Sequence, residues 1–521
     1  MDLDLFLHQL HFHSDQVNPG DWEIDWEDAP LPFKIYRGLP EFSLPHRVPL
    51  SSKKEGATCK TNLPALGSFL WCSYGLTQFS QTALTVGGES VETIQSLRRF
   101  APSGGGLYPN ELYIYLKVEE LPHGMYHYDA AHHRLLLLRE GNFDSYLNHT
   151  LGNRANLEDG FGAIMISSMF WKNFFKYHNF SYRLQGLDAG ALIGQMLEAG
   201  QHFRYHARIH FQFLDQAVNH LLGLDGREES IYAVIPLSRK KELPIQRGGG
   251  IKQSAKELCA ELPALKISYV QRSQNVKEFP QIMEVNQSSM MESTGLFSIL
   301  EKGQRKRENR PGITLPEGEK LNANKYEVFR NRHSPEMDFI PGKINAEKLA
   351  ALFQHACASF FTCPTDLNEA GDIASRLSLY GCFYQVEGIE DGAYRYDHVS
   401  HSLLKLKAGD FRPELQAGMN LAYVHFHQIP ICLHIAGDRS FYSKELGHRG
   451  YRILHMEAGM LMQRLLLSAS ALGMNGHPLL GFDVNHCDSL YNLKASDQTT
   501  LIQIPVGCHR PKSRLTGGMH I

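Results

Sequence analysis

No Cys-x-x-Cys pair occurs in this 521-residue chain. Its nine cysteines stand singly at 59, 72, 259, 357, 363, 382, 432, 487 and 508, which argues against a disulfide frame or a zinc site and for reduced core thiols. Histidine is plentiful, at 27 residues, but lacks ligand spacing with carboxylates, so no metal is expected. There is no apolar run long enough to span a bilayer, and the opening Met1-Asp2-Leu3-Asp4 is acidic. Neither a membrane span nor a secretory signal is therefore expected, and the expected location is the cytoplasm. Charge of one sign is also missing: 52 Lys and Arg against 55 Asp and Glu leave a net −3, no reason to expect nucleic acid or an anionic membrane as partner. The short basic run Arg305-Lys306-Arg307 reads as a solvated loop. What is present, 43% hydrophobic and 21% charged residues, is the composition of a globular protein, and the length calls for two domains.

The chain is best organised around Arg99-Phe100-Ala101-Pro102-Ser103-Gly104-Gly105-Gly106-Leu107-Tyr108-Pro109-Asn110-Glu111. Three successive glycines leave a backbone that can press against a flat ligand. The run Leu112-Tyr113-Ile114-Tyr115-Leu116 then reads as a buried strand that holds the loop in shape. By composition alone the stretch is also compatible with a plain turn. Around it, 1–60 reads as an extended amino-terminal arm whose tryptophans and prolines pack on a domain surface. Helical spacing predicts helices over 63–76, closed by Gly75 at a C′ position, and over 181–203. Strands are expected at 161–170 and 231–237, and a hairpin over 125–138. Residues 244–322 are weakly periodic and read as a linker or excursion, with 248–320 a candidate lid.

The second half repeats the first. Met125-Tyr126-His127-Tyr128-Asp129 with His133 and Leu135 recurs as Ala393-Tyr394-Arg395-Tyr396-Asp397 with His401 and Leu403. Tyr182-Arg183 and Leu187-Asp188-Ala189-Gly190 recur as Tyr451-Arg452 and Met456-Glu457-Ala458-Gly459. The offset is 268–269 residues in both places, so one domain, 61–243, is duplicated as 323–521. Irregular alternation of strands and helices predicts an α+β fold with helices around a mainly antiparallel sheet.

With the repeat aligned, the chain resembles the FMN-dependent nitroreductase superfamily, and within it the SagB/ThcOx-type peptide dehydrogenase (azoline oxidase) branch. The motifs run in the family's order. Arg332-His333-Ser334, followed by Phe339, resembles its flavin-phosphate motif, and Pro511-Lys512-Ser513-Arg514 its second basic pair. A phosphate dianion suits such a set of guanidinium, ammonium and hydroxyl donors. Pro478-Leu479-Leu480-Gly481-Phe482-Asp483 resembles the segment whose backbone lies along the isoalloxazine, with Leu480 and Gly481 at the contact. The first repeat has Gln212-Phe213-Leu214-Asp215 there and no phosphate motif. The second repeat has Ala374-Ser375-Arg376-Leu377-Ser378 where the first has Pro102-Ser103-Gly104-Gly105-Gly106. The losses are complementary. The resemblance therefore implies an intramolecular pseudodimer with one complete FMN site: phosphate donors Arg332, His333, Ser334, Lys512 and Arg514 from the second repeat, and Pro102, Ser103 and Gly104 reaching the ring edge from the first.

The branch is associated with a Lys-Tyr pair ahead of an aromatic-Tyr-Arg segment, here Lys176-Tyr177 before Phe180-Ser181-Tyr182-Arg183. The second repeat has Glu445-Leu446 at those positions. Lys176 and Tyr177 are thus the expected catalytic residues for dehydrogenation of a saturated C–C or C–N unit, such as thiazoline to thiazole in a peptide-derived or small-molecule substrate. A base takes the Cα proton while hydride passes to flavin N5, and a lysine base must be neutral. Two rival readings stand beside it. One is an NAD(P)H-dependent nitroreductase or quinone reductase, on which the absence of a Gly-x-Gly-x-x-Gly motif decides little. The other is a non-catalytic binding subunit.

Overall fold

The computed structural model describes residues 2–14, 16–45, 61–86, 90–240, 252–300, 312–321, 324–357, 360, 363–368, 376–511 and 515–518. Two seven-stranded antiparallel sheets carry the fold. The first runs in the order Glu41–Ser43, Arg134–Glu140, Gly124–Asp129, Asn110–Leu116, Gly162–Met169, Glu229–Ser238 and His206–Ala207. The second runs Ile313–Thr314, Ser402–Ala408, Gly392–Asp397, Ser378–Phe383, Ile431–Asp438, Gln498–Gly507 and Asn475–Gly476. The orders are identical, and register shifts recur at equivalent places, Met125/Tyr126 with Ala393/Tyr394 and Ile166/Ser167 with Ile435/Ala436. The protein is thus α+β with a duplicated core, as the sequence predicts.

The repeated Tyr-Asp…His motif has a structural purpose. Asp129 and Asp397 each accept a backbone N–H two residues on, from Ala131 and Val399, and so shape a tight hairpin turn. The turn ends on a left-handed histidine, His133 or His401, whose Nδ1 bonds the hydroxyl of Tyr128 at 2.9 Å or Tyr396 at 2.8 Å. The same histidines receive the edge strand: Leu44 N–H donates to His133 O, and Leu315 N–H to His401 O. Arm and linker are therefore equivalent pieces of the two repeats, each supplying the first strand of a sheet.

The repeats meet through two 23-residue helices, Ser181–Phe203 and Arg449–Ala471. Their crossing explains why Gly190 and Gly459 recur. A Cβ on Gly190 would lie 2.0 Å from Met456 O, and one on Gly459 would lie 2.3 Å from Leu187 O. Only glycine permits backbones to approach so closely. Side chains of the two helices meet along the seam: Gln463 Nε2 donates to Gln195 Oε1 at 2.7 Å, and the rings of the repeat-equivalent Tyr182 and Tyr451 stack with centroids 6.0 Å apart.

Three expectations change. The arm is not wholly extended. It opens with a helix, Leu3–Phe12, capped by Asp2, and buries Phe6, Leu7 and Leu10. His11 of this helix bonds Thr499 Oγ1 of the second repeat. The following stretch lies on the first repeat, where Lys34 is buried against Glu229 at 2.5 Å under the rings of Tyr36, Tyr113 and Tyr269. Gly75 closes the helix Leu63–Tyr74 in an extended conformation, not a left-handed one. It is needed because a Cβ there would lie 2.1 Å from the Trp71 ring. The 244–322 excursion carries helices of its own, Ala255–Glu261 and Pro280–Ser288. Among the described residues no helix is long and apolar enough to cross a membrane.

Candidate functional site

Ser90–Arg99 and Leu76–Val86 form an antiparallel ribbon whose outer strand is Leu515–Gly517 from the carboxyl end of the chain. Phe100 and Ala101 are buried, and the chain then turns through Gly104–Gly106. Gly105 and Gly106 adopt φ of +63° and +70°, which is where the glycine run is required. The loop is held from below by Asp188 on the first crossing helix. Ser103 Oγ donates to its carboxylate at 2.6 Å and Gly104 N–H at 2.9 Å, while Tyr108 N–H donates to Ser103 Oγ. Burial pushes the Asp188 carboxyl up to about 7, and the bonds from Ser103 and Gly104 partly oppose that. The Ser103 hydroxyl and the Gly104 amide thus bond Asp188 and shape the loop that Pro102 opens. Asp188 escaped the sequence reading as a functional residue, although its repeat counterpart Glu457 marked the position.

Against this loop stands the helix Trp171–Tyr177. A Cβ on Gly105 would lie 2.4 Å from the Tyr177 hydroxyl and 3.1 Å from Lys176 Nζ, so the glycine loop and the Lys-Tyr pair are in direct contact. Lys172, one turn earlier, fixes the helix: its Nζ bonds Glu111 Oε1 at 2.5 Å, and Glu111 also holds His127 at 3.0 Å. At the other end Trp22 Nε1 donates to Phe175 O, satisfying a terminal carbonyl. Burial lowers the Lys176 ammonium from its ordinary value, with no ion pair to offset it among the described residues. Burial raises the Tyr177 phenol, with contributions from Tyr423 and Asp188. Tyr423 and its neighbour Leu421 belong to the second repeat and are more than half exposed.

The second repeat supplies a group of basic residues. The helix Lys325–Asn331 ends at Arg332, which is buried and donates from Nε to Phe100 O at 3.3 Å, two residues before Pro102. Burial lowers its guanidinium to about 10. His333 is pushed down to about 4 by burial, reinforced by His509, Arg98 and Arg332. Its backbone N–H is held by Asn475 Oδ1, and its ring meets that of His509 edge-on at 4.4 Å. Ser334 follows, half-buried. Phe339 pairs with His509, and Arg510 N–H donates to Asp338 O, so the segment after Arg332-His333-Ser334 runs beside the one that leads to Pro511. Lys512 and Arg514 lie outside the described residues. Arg332 makes no ion pair among the described residues, and Arg98, His333 and His509 lie in the same neighbourhood. That donor set fits a phosphate dianion. Gly481 O accepts from Asn420 N–H at 3.0 Å, and Met419 bridges Phe482. Leu480-Gly481 is thereby tied to the segment that carries Leu421 and Tyr423.

The pseudosymmetric counterpart is filled by the protein itself. Arg376 takes the place of the glycine loop, with its Nε 2.9 Å from Glu457. Asp215 is clamped by Arg449 and Arg452, each at 2.7 Å. Gln212 is bonded by Asp366 and Ser298, and Met291 N–H donates to Asp215. The candidate lid thus packs over this second place. Among the described residues no cluster of side chains could hold a metal ion.

A family model described as the nitroreductase family matches residues 78–237 and 338–508, well over half of the chain. The chain therefore belongs to the nitroreductase family of oxidoreductases. A Methanocaldococcus jannaschii protein named as a nitroreductase, MJ1384, is 29% identical over 131 residues, 25% of this chain. The match spans 64% of that relative's own length. A crystal structure of an Anabaena variabilis protein titled as a nitroreductase is similar over 98% of this chain and 99% of its own, with a TM-score of 0.73 and 21% identity. That likeness concerns the fold.

Proposed function

We propose that this nitroreductase-family oxidoreductase binds one FMN per chain, between the repeats, and acts as a dehydrogenase of the SagB/ThcOx type on azoline-like heterocycles or a related peptide-derived substrate. The observation that carries the reading is the contact of Gly105 with both Lys176 Nζ and the Tyr177 hydroxyl, on the loop that follows Phe100, whose carbonyl accepts from the buried Arg332. Arg332, His333 and Ser334 would hold the phosphate, with Lys512 and Arg514 as further donors by the resemblance of their motif. Pro102 and the glycine loop, with Leu480-Gly481 opposite, would border the ring. When bound, the flavin supplies a two-electron acceptor for hydride.

The chain's own residues handle the proton. Lys176 is shielded enough that its neutral amine is favoured more than in water, as a base for a Cα–H requires. Tyr177 remains a phenol through the working pH range and donates or relays a hydrogen bond. The filled counterpart site, with Arg376 on Glu457 and Asp215 between two arginines, supports a stoichiometry of one.

The test is flavin absorbance against protein concentration, followed by Lys176→Ala and Tyr177→Phe. One FMN per chain is expected, retained in both variants, with turnover lost. Two FMN per chain, or loss of flavin from both variants, overturns the reading. Rapid anaerobic bleaching by NADH or NADPH would instead favour a reductase that draws on a nicotinamide donor.

A further inference from the structure

Lys176 is covered by a residue that the catalytic motif does not include. Its Nζ lies 5.3 Å from the centre of the Trp26 ring and 5.0 Å from that of Tyr177. Trp26 comes from the amino-terminal arm, 150 residues away in sequence. It packs edge-on against Phe175, with centroids 5.5 Å apart, yet is 56% exposed. An exposed tryptophan over a half-buried lysine that has no hydrogen bond or ion pair among the described residues needs an explanation.

The arm is fastened to do this. Trp22 donates to Phe175 O and lies edge-on to His178, with centroids 4.7 Å apart. Asn179 Nδ2 donates to Val17 O. Asp28 accepts the backbone N–H groups of Gln274 and Asn275, so the linker braces the arm from behind. His178 itself, immediately after the pair, has φ +47° and ψ −137°, a region that side chains other than glycine enter only at a cost. Its counterpart in the second repeat is Gly447, at φ +56° and ψ −149°. The half that has lost the Lys-Tyr pair keeps the unstrained residue. The half that has the pair accepts the strain and gains a ring that docks the arm.

We propose that Trp26 is a positioning residue of the active site: the arm places it over Lys176, where it keeps water from the amine and holds Nζ at the glycine loop. This rests on the reading of Lys176 and Tyr177 as the proton-handling pair. Among the described residues, the groups against the amine are Tyr177, Trp26 and the Gly105 backbone. Asp25 and Glu27 flank Trp26 in sequence, and Asp25 is engaged by the N–H groups of Glu27 and Asp28. Burial lowers the ammonium from its ordinary value, and the indole, whose π face by itself favours the ammonium, acts in this proposal by shielding the amine from water.

The experiment uses the full chain as purified, with wild type, Trp26→Phe, Trp26→Gln and Trp26→Ala compared. The rate of acetic anhydride acylation at Lys176 is followed by peptide mass spectrometry as a function of pH. Trp26→Ala and Trp26→Gln are expected to raise the midpoint, so that at pH 8 the rate relative to each variant's own plateau falls about three- to tenfold. Trp26→Phe should stay within about twofold of wild type. An unchanged midpoint in both truncated variants, or a lowered one, overturns the proposal. Bound flavin is measured in parallel. Colourless protein in every variant would sink the FMN reading and leave the Trp26 result standing, whereas flavin retained with an unmoved midpoint sinks only the Trp26 proposal.

Discussion

Replacing Gly190 by alanine sets two physical effects against each other, and the structure decides the sign. In a helix interior, Gly→Ala ordinarily stabilises by about 0.8–1.0 kcal/mol, because alanine loses less backbone entropy. At Gly190 the new methyl carbon would lie 2.0 Å from Met456 O and 2.7 Å from its carbonyl carbon. Both atoms are backbone of the partner helix and cannot rotate away. To restore van der Waals contact, the two 23-residue helices must part by more than about 1 Å at their closest point, which loosens the Gln195–Gln463 bond and the Tyr182–Tyr451 stack. Overpacking of this kind costs about 1–3 kcal/mol, and more where backbone must move. We therefore expect net destabilisation of about 2 kcal/mol or more, the propensity gain included. Gly200, in the same helix, is the control: its nearest neighbour to a Cβ is Tyr205 O at 3.5 Å, so Gly200→Ala should be neutral or stabilise by up to about 1 kcal/mol. Urea unfolding midpoints of the two variants test this directly. Bound flavin should also fall in Gly190→Ala, because the candidate site is assembled across this crossing. Equal stabilisation by both substitutions would refute the idea that the glycines exist to let the repeats touch.

Other outcomes follow from the same geometry. Arg332→Ala should lower FMN retention at least tenfold, read by flavin absorbance after gel filtration, and Arg332→Lys should restore only part of it because the guanidinium fork is lost. Lys34→Met strands Glu229 in the core and should cost about 3–5 kcal/mol, whereas the Lys34→Met/Glu229→Gln pair should cost clearly less than the two changes summed, in a double-mutant cycle of unfolding free energies. Asp188 has its carboxyl raised from 3.8 to about 7, so the folded state holds its proton more tightly than the unfolded chain. That contribution is fully present below pH 3.8 and is lost as pH rises through about 7. Melting temperatures between pH 5 and 8 should therefore decline less steeply in Asp188→Asn than in wild type. Gly105→Ala should release the loop, since it combines a φ of +63° with a 2.4 Å approach to the Tyr177 hydroxyl; loss of flavin with little change in the urea midpoint is the expected pattern.

Some of this was legible in the residues alone. The duplication, the α+β class, and the helix over 181–203 follow from periodicity and self-similarity, because repeat-equivalent residues do equivalent local work. Tyr128 and His133 make the same turn as Tyr396 and His401. The glycine loop and the Lys-Tyr pair stood out for similar reasons, since each occurs in one repeat and is missing from the other. The tertiary structure decided which of those groups touch. That Gly105 lies against Tyr177, that Ser103 and Gly104 bond Asp188, and that Arg332 reaches Phe100 are contacts between segments up to 232 residues apart, and no local pattern encodes them. The arm is the clearest case. Its sequence announces aromatic residues in need of a surface. Only the packing of Trp22 on His178 and of Trp26 over Lys176 determines that the surface is the helix Trp171–Tyr177 and the residue after it, because burial of a ring is satisfied by any apolar neighbour and the fold alone selects one.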